Sequence, residues 1–232
     1  MRHVRSEFMI ASMPTNPTPL VFGNFYHIFN RGNNHENVFL QEQNYAYFME
    51  LWWKHTFQIA ETFAYCLLKN HFHATVYIKD QADLTGFRET SPDSLYNPSK
   101  SHDGKEPGEN LSGLKLKQPS QYFSNFFNAY TRGVNIATGR SGALFERPFE
   151  RIPITNEKYL MRLIVYIHQN PQKHKFVEDF RDWNYSSYHE LIGDISTRLQ
   201  RDKMMELFGS KEDFIRIHQE IQHLTDLDDD ED

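Results

Sequence analysis

His71-Phe72-His73 opens a run of β-forming residues that continues to Ile78. Strand side chains alternate between faces, so both imidazoles point one way while Phe72 points the other. Two imidazoles placed in this way can grip one divalent metal ion. The chain has 12 histidines, and the spacing alone does not separate a metal pair from two ordinary ones. A third element is needed, and the stretch 156–170 offers it. Tyr166 and Asn170 lie four residues apart and share one helix face, while Leu160, Leu163, Ile164 and Ile167 supply an apolar stripe. A phenol beside a metal-bound phosphate is a competent nucleophile that leaves a phosphotyrosine ester, and Asn170 can add a carbonyl oxygen to the same metal. A surface tyrosine on an amphipathic helix has the same signature.

The elements that must position these residues can be read along the chain. Three prolines in residues 14–19 forbid regular structure in an N-terminal leader, 1–21. Phe25 to Asn30 reads as a strand stopped by Arg31-Gly32-Asn33-Asn34, and residues 43–59 repeat apolar positions at helical spacing. Thr62–Leu68 and Phe72–Ile78 form a hairpin around Lys69-Asn70-His71. From 86 to 117 the apolar period fails, which predicts a flexible insertion. Ser120–Ile136 predicts a helix, Phe149–Ile154 a strand, and Asn156 caps a helix that Pro171 ends at Asn170. The order βαββ, insertion, αβα predicts an α+β fold: a ferredoxin-like sandwich with an antiparallel sheet. Residues 22–192 are read as one catalytic domain, 193–224 as a C-terminal helical extension, and 225–232 as an acidic disordered tail.

The 232 residues include 39% apolar and 15% aromatic residues, enough to build a core and to exclude disorder over most of the chain. The net charge of -6 argues against a nucleic-acid partner until its distribution is considered. Six acidic residues lie beyond Thr225, and without them 25 acidic groups face 25 basic ones. Between Phe126 and Lys175 eight basic residues outnumber three glutamates. Arg132, Arg140, Arg147 and Arg151 within that stretch are candidate DNA-backbone contacts, as is Lys69 in the hairpin turn. One cysteine, no signal-peptide core and no membrane-length apolar run predict a cytoplasmic protein without membrane contact.

Four ordered motifs together resemble a known family: Asn70-His71-Phe72-His73, Gly139 to Phe145, Tyr166-Ile167-His168-Gln169-Asn170-Pro171, and Trp183 to Tyr188. They are similar to the single-tyrosine HUH transposases, most closely to the REP-associated tyrosine transposases, over roughly 22–192 apart from the insertion. Leu68-Lys69 stands where that family usually carries Met-Pro. The resemblance implies a ferredoxin-like fold, Mg²⁺ or Mn²⁺ as cofactor, and single-stranded DNA, often with a hairpin, as partner. It implies His71 and His73 as metal ligands, Asn170 as the polar residue completing the site, and Tyr166 as the nucleophile. Its chemistry is cleavage and rejoining through a 5′-phosphotyrosine that frees a 3′-OH.

Two other readings fit the same residues: a domesticated protein that binds DNA hairpins without cutting them, and a metal hydrolase in which His71, His73 and a carboxylate activate water. Whether the protein acts as a monomer or a homodimer is not encoded in any motif.

Overall fold

The computed structural model describes residues 17–84 and 117–220. The predicted insertion at 86–117, the acidic tail and most of the leader therefore lie outside the described residues, apart from Lys117 and residues 17–21. Four strands form one antiparallel sheet: β1 (Asn24–Arg31), β2 (Ala60–Leu67), β3 (His71–Ile78) and β4 (Glu150–Ile154), in the spatial order β2-β3-β1-β4. Helices α1 (Gln43–Thr56) and α2 (Pro119–Thr138) pack on one face of it. On the other face lies α3 (Glu157–Lys173), backed by α5 (Arg201–Phe208) and α6 (Lys211–Glu220), with the short α4 (Tyr188–Ile192) beside them. The strand and helix order is the one the sequence predicts.

Alternation along β3 decides which residues meet which layer. Phe72, Ala74, Val76 and Ile78 enter the core under α1 and α2, where Phe48, Trp52, Phe123, Phe126 and Tyr130 are almost fully buried. Phe48 and Phe126 meet edge to face, with ring centroids 4.8 Å apart. Each such side chain contributes roughly 1.5–3 kcal/mol by leaving water. The polar tips inside this layer are satisfied: Trp52 Nε1 donates to Thr62 Oγ1 at 3.0 Å, and the Tyr130 hydroxyl to the Val38 carbonyl at 2.8 Å. His71 and His73 alternate with these apolar residues and so face α3.

Two features place α3 over the histidines. At its start Asn156 Oδ1 accepts a hydrogen bond from the Tyr159 amide at 2.8 Å, the cap predicted from the sequence. At its end the helix does not stop before Pro171 as predicted but runs on to Lys173. Proline removes one amide donor, yet the next turn closes through the His174 amide on the Asn170 carbonyl at 3.0 Å. Packing against the sheet and α6 outweighs the local cost. The extra turn carries Lys173 and His174 to the site.

The Trp183–Tyr188 motif has a structural role that spacing did not reveal. It lies along the outer edge of β2: Leu67 N donates to Tyr185 O, Ser187 N to Tyr65 O, and Trp183 Nε1 to Leu67 O, at 2.9, 2.9 and 3.0 Å. These bonds pair groups that an edge strand would otherwise leave open.

Candidate functional site

His71 and His73 stand on a central strand of the sheet, their rings 5.1 Å apart and nearly perpendicular. The Tyr166 ring meets His73 edge-on, with centroids 6.0 Å apart at 80°. At the far end of the same helix His174 lies 5.1 Å from His71. Helix and strand therefore run in opposite directions, and Asn170, half-way between Tyr166 and His174, is carried over the pair of imidazoles. Asn170 is fully buried, and neither its Oδ1 nor its Nδ2 has a hydrogen-bond partner. A buried amide with both ends unsatisfied costs free energy that a ligand or substrate group would restore.

Neighbours fix the imidazoles. His71 Nδ1 lies 2.7 Å from Asn70 Oδ1, an acceptor, which sets the proton on Nδ1 and leaves Nε2 with the lone pair. His73 Nδ1 lies 3.0 Å from Nε2 of His27 on β1. With the shared proton on His73 Nδ1, its Nε2 carries the lone pair and could serve as a metal donor. His27 was missed in the sequence because its role depends on the β1–β3 register, which sets it opposite Thr75, beside the Phe29–His73 pair.

Burial lowers the pKa of His71 to about 2, helped by the nearby positive charges of His73, His174 and Arg31. It lowers that of His73 to about 3, with His174, Arg31 and Lys173 adding to the effect. Both rings are thus held neutral, the form a metal requires. Arg31 is set beside His71 by strand pairing, and Lys173 Nζ sits 5.0 Å from the centre of the Tyr166 ring. Lys69, exposed in the hairpin turn, stands over the Phe176 ring at 5.8 Å. The rim of the site is therefore cationic. Tyr166, His71 and His73 are 3%, 7% and 1% exposed, so a ligand reaches them only past that rim.

Of the predicted backbone contacts only Lys69 lies at this rim; the four arginines do not gather here. Arg140 is engaged by Glu36 at 2.6 Å and by Asn135 at 3.1 Å, beside the loop after β1. Arg132 is exposed on α2. Arg151 pairs with Ile28, whose side chain lies in the α1–α2 core, and so faces away from the histidines; Arg147 is exposed beside it. Among the described residues no group of three His, Cys, Asp or Glu side chains has metal-binding geometry, so the donor set that the site offers is two imidazoles and an amide oxygen.

Behind the site, α6 is tied to α3 through a buried chain. His168 Nδ1 meets His218 Nε2 and His168 Nε2 meets Ser187 Oγ, both at 2.8 Å, while His218 Nδ1 donates to the Phe214 carbonyl at 2.7 Å. Gln169 Nε2 adds a bond to the His218 carbonyl at 2.8 Å. The helix that carries Tyr166 is thereby held from both sides.

Among the described residues no helix is long and apolar enough to cross a membrane. No protein-family model matches the chain. A curated Haemophilus influenzae protein whose name assigns it to the REP-associated tyrosine transposases is 25% identical over 132 residues, spanning 57% of this chain and 61% of that relative. A solved REP-associated tyrosine transposase bound to a REP hairpin shares the fold with a TM-score of 0.54 at 16% identity, over 80% of this chain and 94% of the other. The chain is therefore similar in sequence to one REP-associated tyrosine transposase and alike in fold to another, the family that its four motifs resemble.

Proposed function

We propose that the protein is a metal-dependent single-stranded DNA nuclease and strand transferase of the REP-associated tyrosine transposase type, in which Tyr166 is the nucleophile. The observation that carries this reading is the stacking order over β3: Tyr166 against His73, and an unsatisfied Asn170 amide above the two imidazoles. The donor set fits a divalent ion held by His71 Nε2, His73 Nε2 and Asn170 Oδ1, with positions left open for water and phosphate oxygens. Such an ion, Mg²⁺ or Mn²⁺, withdraws charge from the scissile phosphate when bound.

The chain's own residues perform the rest. Tyr166 Oη gives up its proton to solvent and attacks phosphorus, the bond to the 3′ oxygen breaks, and that oxygen takes up a proton, which leaves a 5′-phosphotyrosine and a free 3′-OH. Lys173 and Arg31 supply positive charge where the phosphate and phenol oxygens gain negative charge. Attack by a 3′-OH on the phosphotyrosine reverses the step, so joining needs no nucleotide cofactor. The substrate is single-stranded DNA flanking a hairpin, by analogy with the hairpin bound to the solved relative. Incubation with such a strand and Mn²⁺, followed by denaturing electrophoresis, tests this. A protein band shifted by the mass of the 3′ fragment is expected.

The burial of Tyr166 favours a second reading, a hairpin-binding protein that does not cut. Hairpin binding without any adduct, with Mg²⁺ or Mn²⁺ present, would establish it in place of the first. A water-activating hydrolase is disfavoured, since no carboxylate joins the two histidines among the described residues.

A further inference from the structure

On the sheet face opposite the histidines, α2 and the strand β4 enclose a cleft of about 530 Å³. This is the size range of small-ligand pockets. Asn30 from β1, Ser124, Asn128 and Thr131 from successive turns of α2, and Arg147 and Arg151 line it. Of the polar side chains of α2 along the cleft, Ser124 and Thr131 are half-buried and Asn128 is exposed, and the Ser124 hydroxyl donates to the Ser120 carbonyl at 2.9 Å.

Arg151 is the unusual member. It is 8% exposed, its guanidinium lies 4.2 Å from the centre of the Phe149 ring, and its Nε is buried with no hydrogen-bond partner. Among the described residues it has no ion pair. Burial pulls the guanidinium pKa down and the neighbouring Glu150 carboxylate offsets only part of this, so a buried guanidinium without a paired anion remains costly. Glu146 lines the same cleft, yet it is exposed and forms an ion pair with neither arginine. Arg147, at the exposed mouth, adds a second positive charge.

We propose that this cleft is an anion site that takes a backbone phosphate of single-stranded nucleic acid, with Arg151 as its floor and Arg147 at its mouth. A planar guanidinium presents paired N–H donors to phosphate oxygens, and the hydroxyl and amide groups of Ser124, Thr131 and Asn128 can complete the shell. β4 is an edge strand, so a nucleic-acid strand that leaves the histidine face passes around that single edge to reach the cleft. The site does not depend on Tyr166 chemistry, and it rests on the proposed function only for the nature of the polymer.

The test is binding of a fluorescent oligonucleotide of unpaired sequence at several salt concentrations, comparing the wild-type chain with Arg151→Met and Arg147→Gln. Methionine keeps the apolar contact with Phe149 while removing the charge, and exposed Arg147 can be changed without touching the core. Each variant is expected to bind several-fold more weakly, with the slope of log K against log salt reduced by about 0.7 for each lost phosphate contact. The measurement is made without Mg²⁺ or Mn²⁺ and needs no cleavage, so a failure of the cleavage reading would not disturb this result. Unchanged affinity and salt slope in both arginine variants would overturn the proposal. So would stabilisation by inorganic phosphate or a nucleoside monophosphate that equals that of the oligonucleotide, since the cleft would then serve a free small anion. Should Arg151→Met fail to fold, Arg147→Gln decides alone.

Discussion

The edge of the Tyr166 ring rests against His73, with centroids 6.0 Å apart and planes at 80°. This contact joins two segments that are 93 residues apart in sequence. It depends on α3 running antiparallel to β3, so that one helix places Tyr166, Asn170 and His174 over a strand bearing two histidines.

His27 orients His73 through the 3.0 Å contact between their ring nitrogens. Partners of this kind set the tautomer and basicity of a metal ligand, and losing one typically costs about 10–100-fold in metal affinity. His27→Phe, which keeps the ring volume, is expected to raise the Mn²⁺ concentration needed for half-maximal thermal stabilisation by that factor. An unchanged midpoint would show that His27 does not orient a ligand.

Burial holds His71 at about 2, His73 at about 3 and His218 at about 4, and it holds His168 well below its ordinary value. All four are depressed below the unfolded value of about 6.5. In the unfolded chain they gain protons as pH falls below 6.5, whereas the folded chain resists. Stability is therefore flat above about pH 7 and falls between pH 6.5 and 4, each histidine contributing up to about 1.4 kcal/mol per pH unit. Urea midpoints measured across this range check the prediction; a pH-independent midpoint would contradict neutral buried rings.

His218 ties α6 to α3. Truncating it leaves His168 Nδ1 without its partner in a buried environment and opens a cavity beside Phe214. His218→Ala is expected to destabilise the chain by about 2–4 kcal/mol, read from equilibrium unfolding. A loss below about 0.5 kcal/mol would mean that the extension does not brace the tyrosine helix.

The cap at Asn156 is local and should behave so. Asn156→Ala removes the acceptor for the Tyr159 amide and is expected to cost about 1 kcal/mol in unfolding free energy. Adduct formation well below the melting temperature should be unaffected, because the cap lies more than two turns from Tyr166.

The strands and helices were legible because alternation and helical spacing are local signals, and the common face of His71 and His73 followed from strand geometry alone. The faces of more distant residues were not legible. Arg151 reads as one more positive charge in a basic stretch, but pairing with Ile28 turns it to the opposite side of the sheet. Arg31 and His27 enter the site only through the register of β1 on β3. His168 and His218 meet across 50 residues, a distance no motif spans. Pro171 was read as a stop because its local cost is real; tertiary packing carries the helix through it and delivers Lys173 and His174 to the rim.

The central claim is that Tyr166 becomes covalently bound to DNA. The direct measurement is mass spectrometry of the peptide containing Tyr166 after incubation with hairpin-flanking single-stranded DNA and Mn²⁺, with Tyr166→Phe run in parallel. Tyr166→Phe removes one hydroxyl and leaves the ring against His73, so it should fold and bind DNA as before. The account predicts a 5′-linked nucleotide on Tyr166 in the wild-type chain, and neither adduct nor cleavage in the variant. Cleavage at the wild-type rate by Tyr166→Phe, or an adduct on another residue, would contradict it.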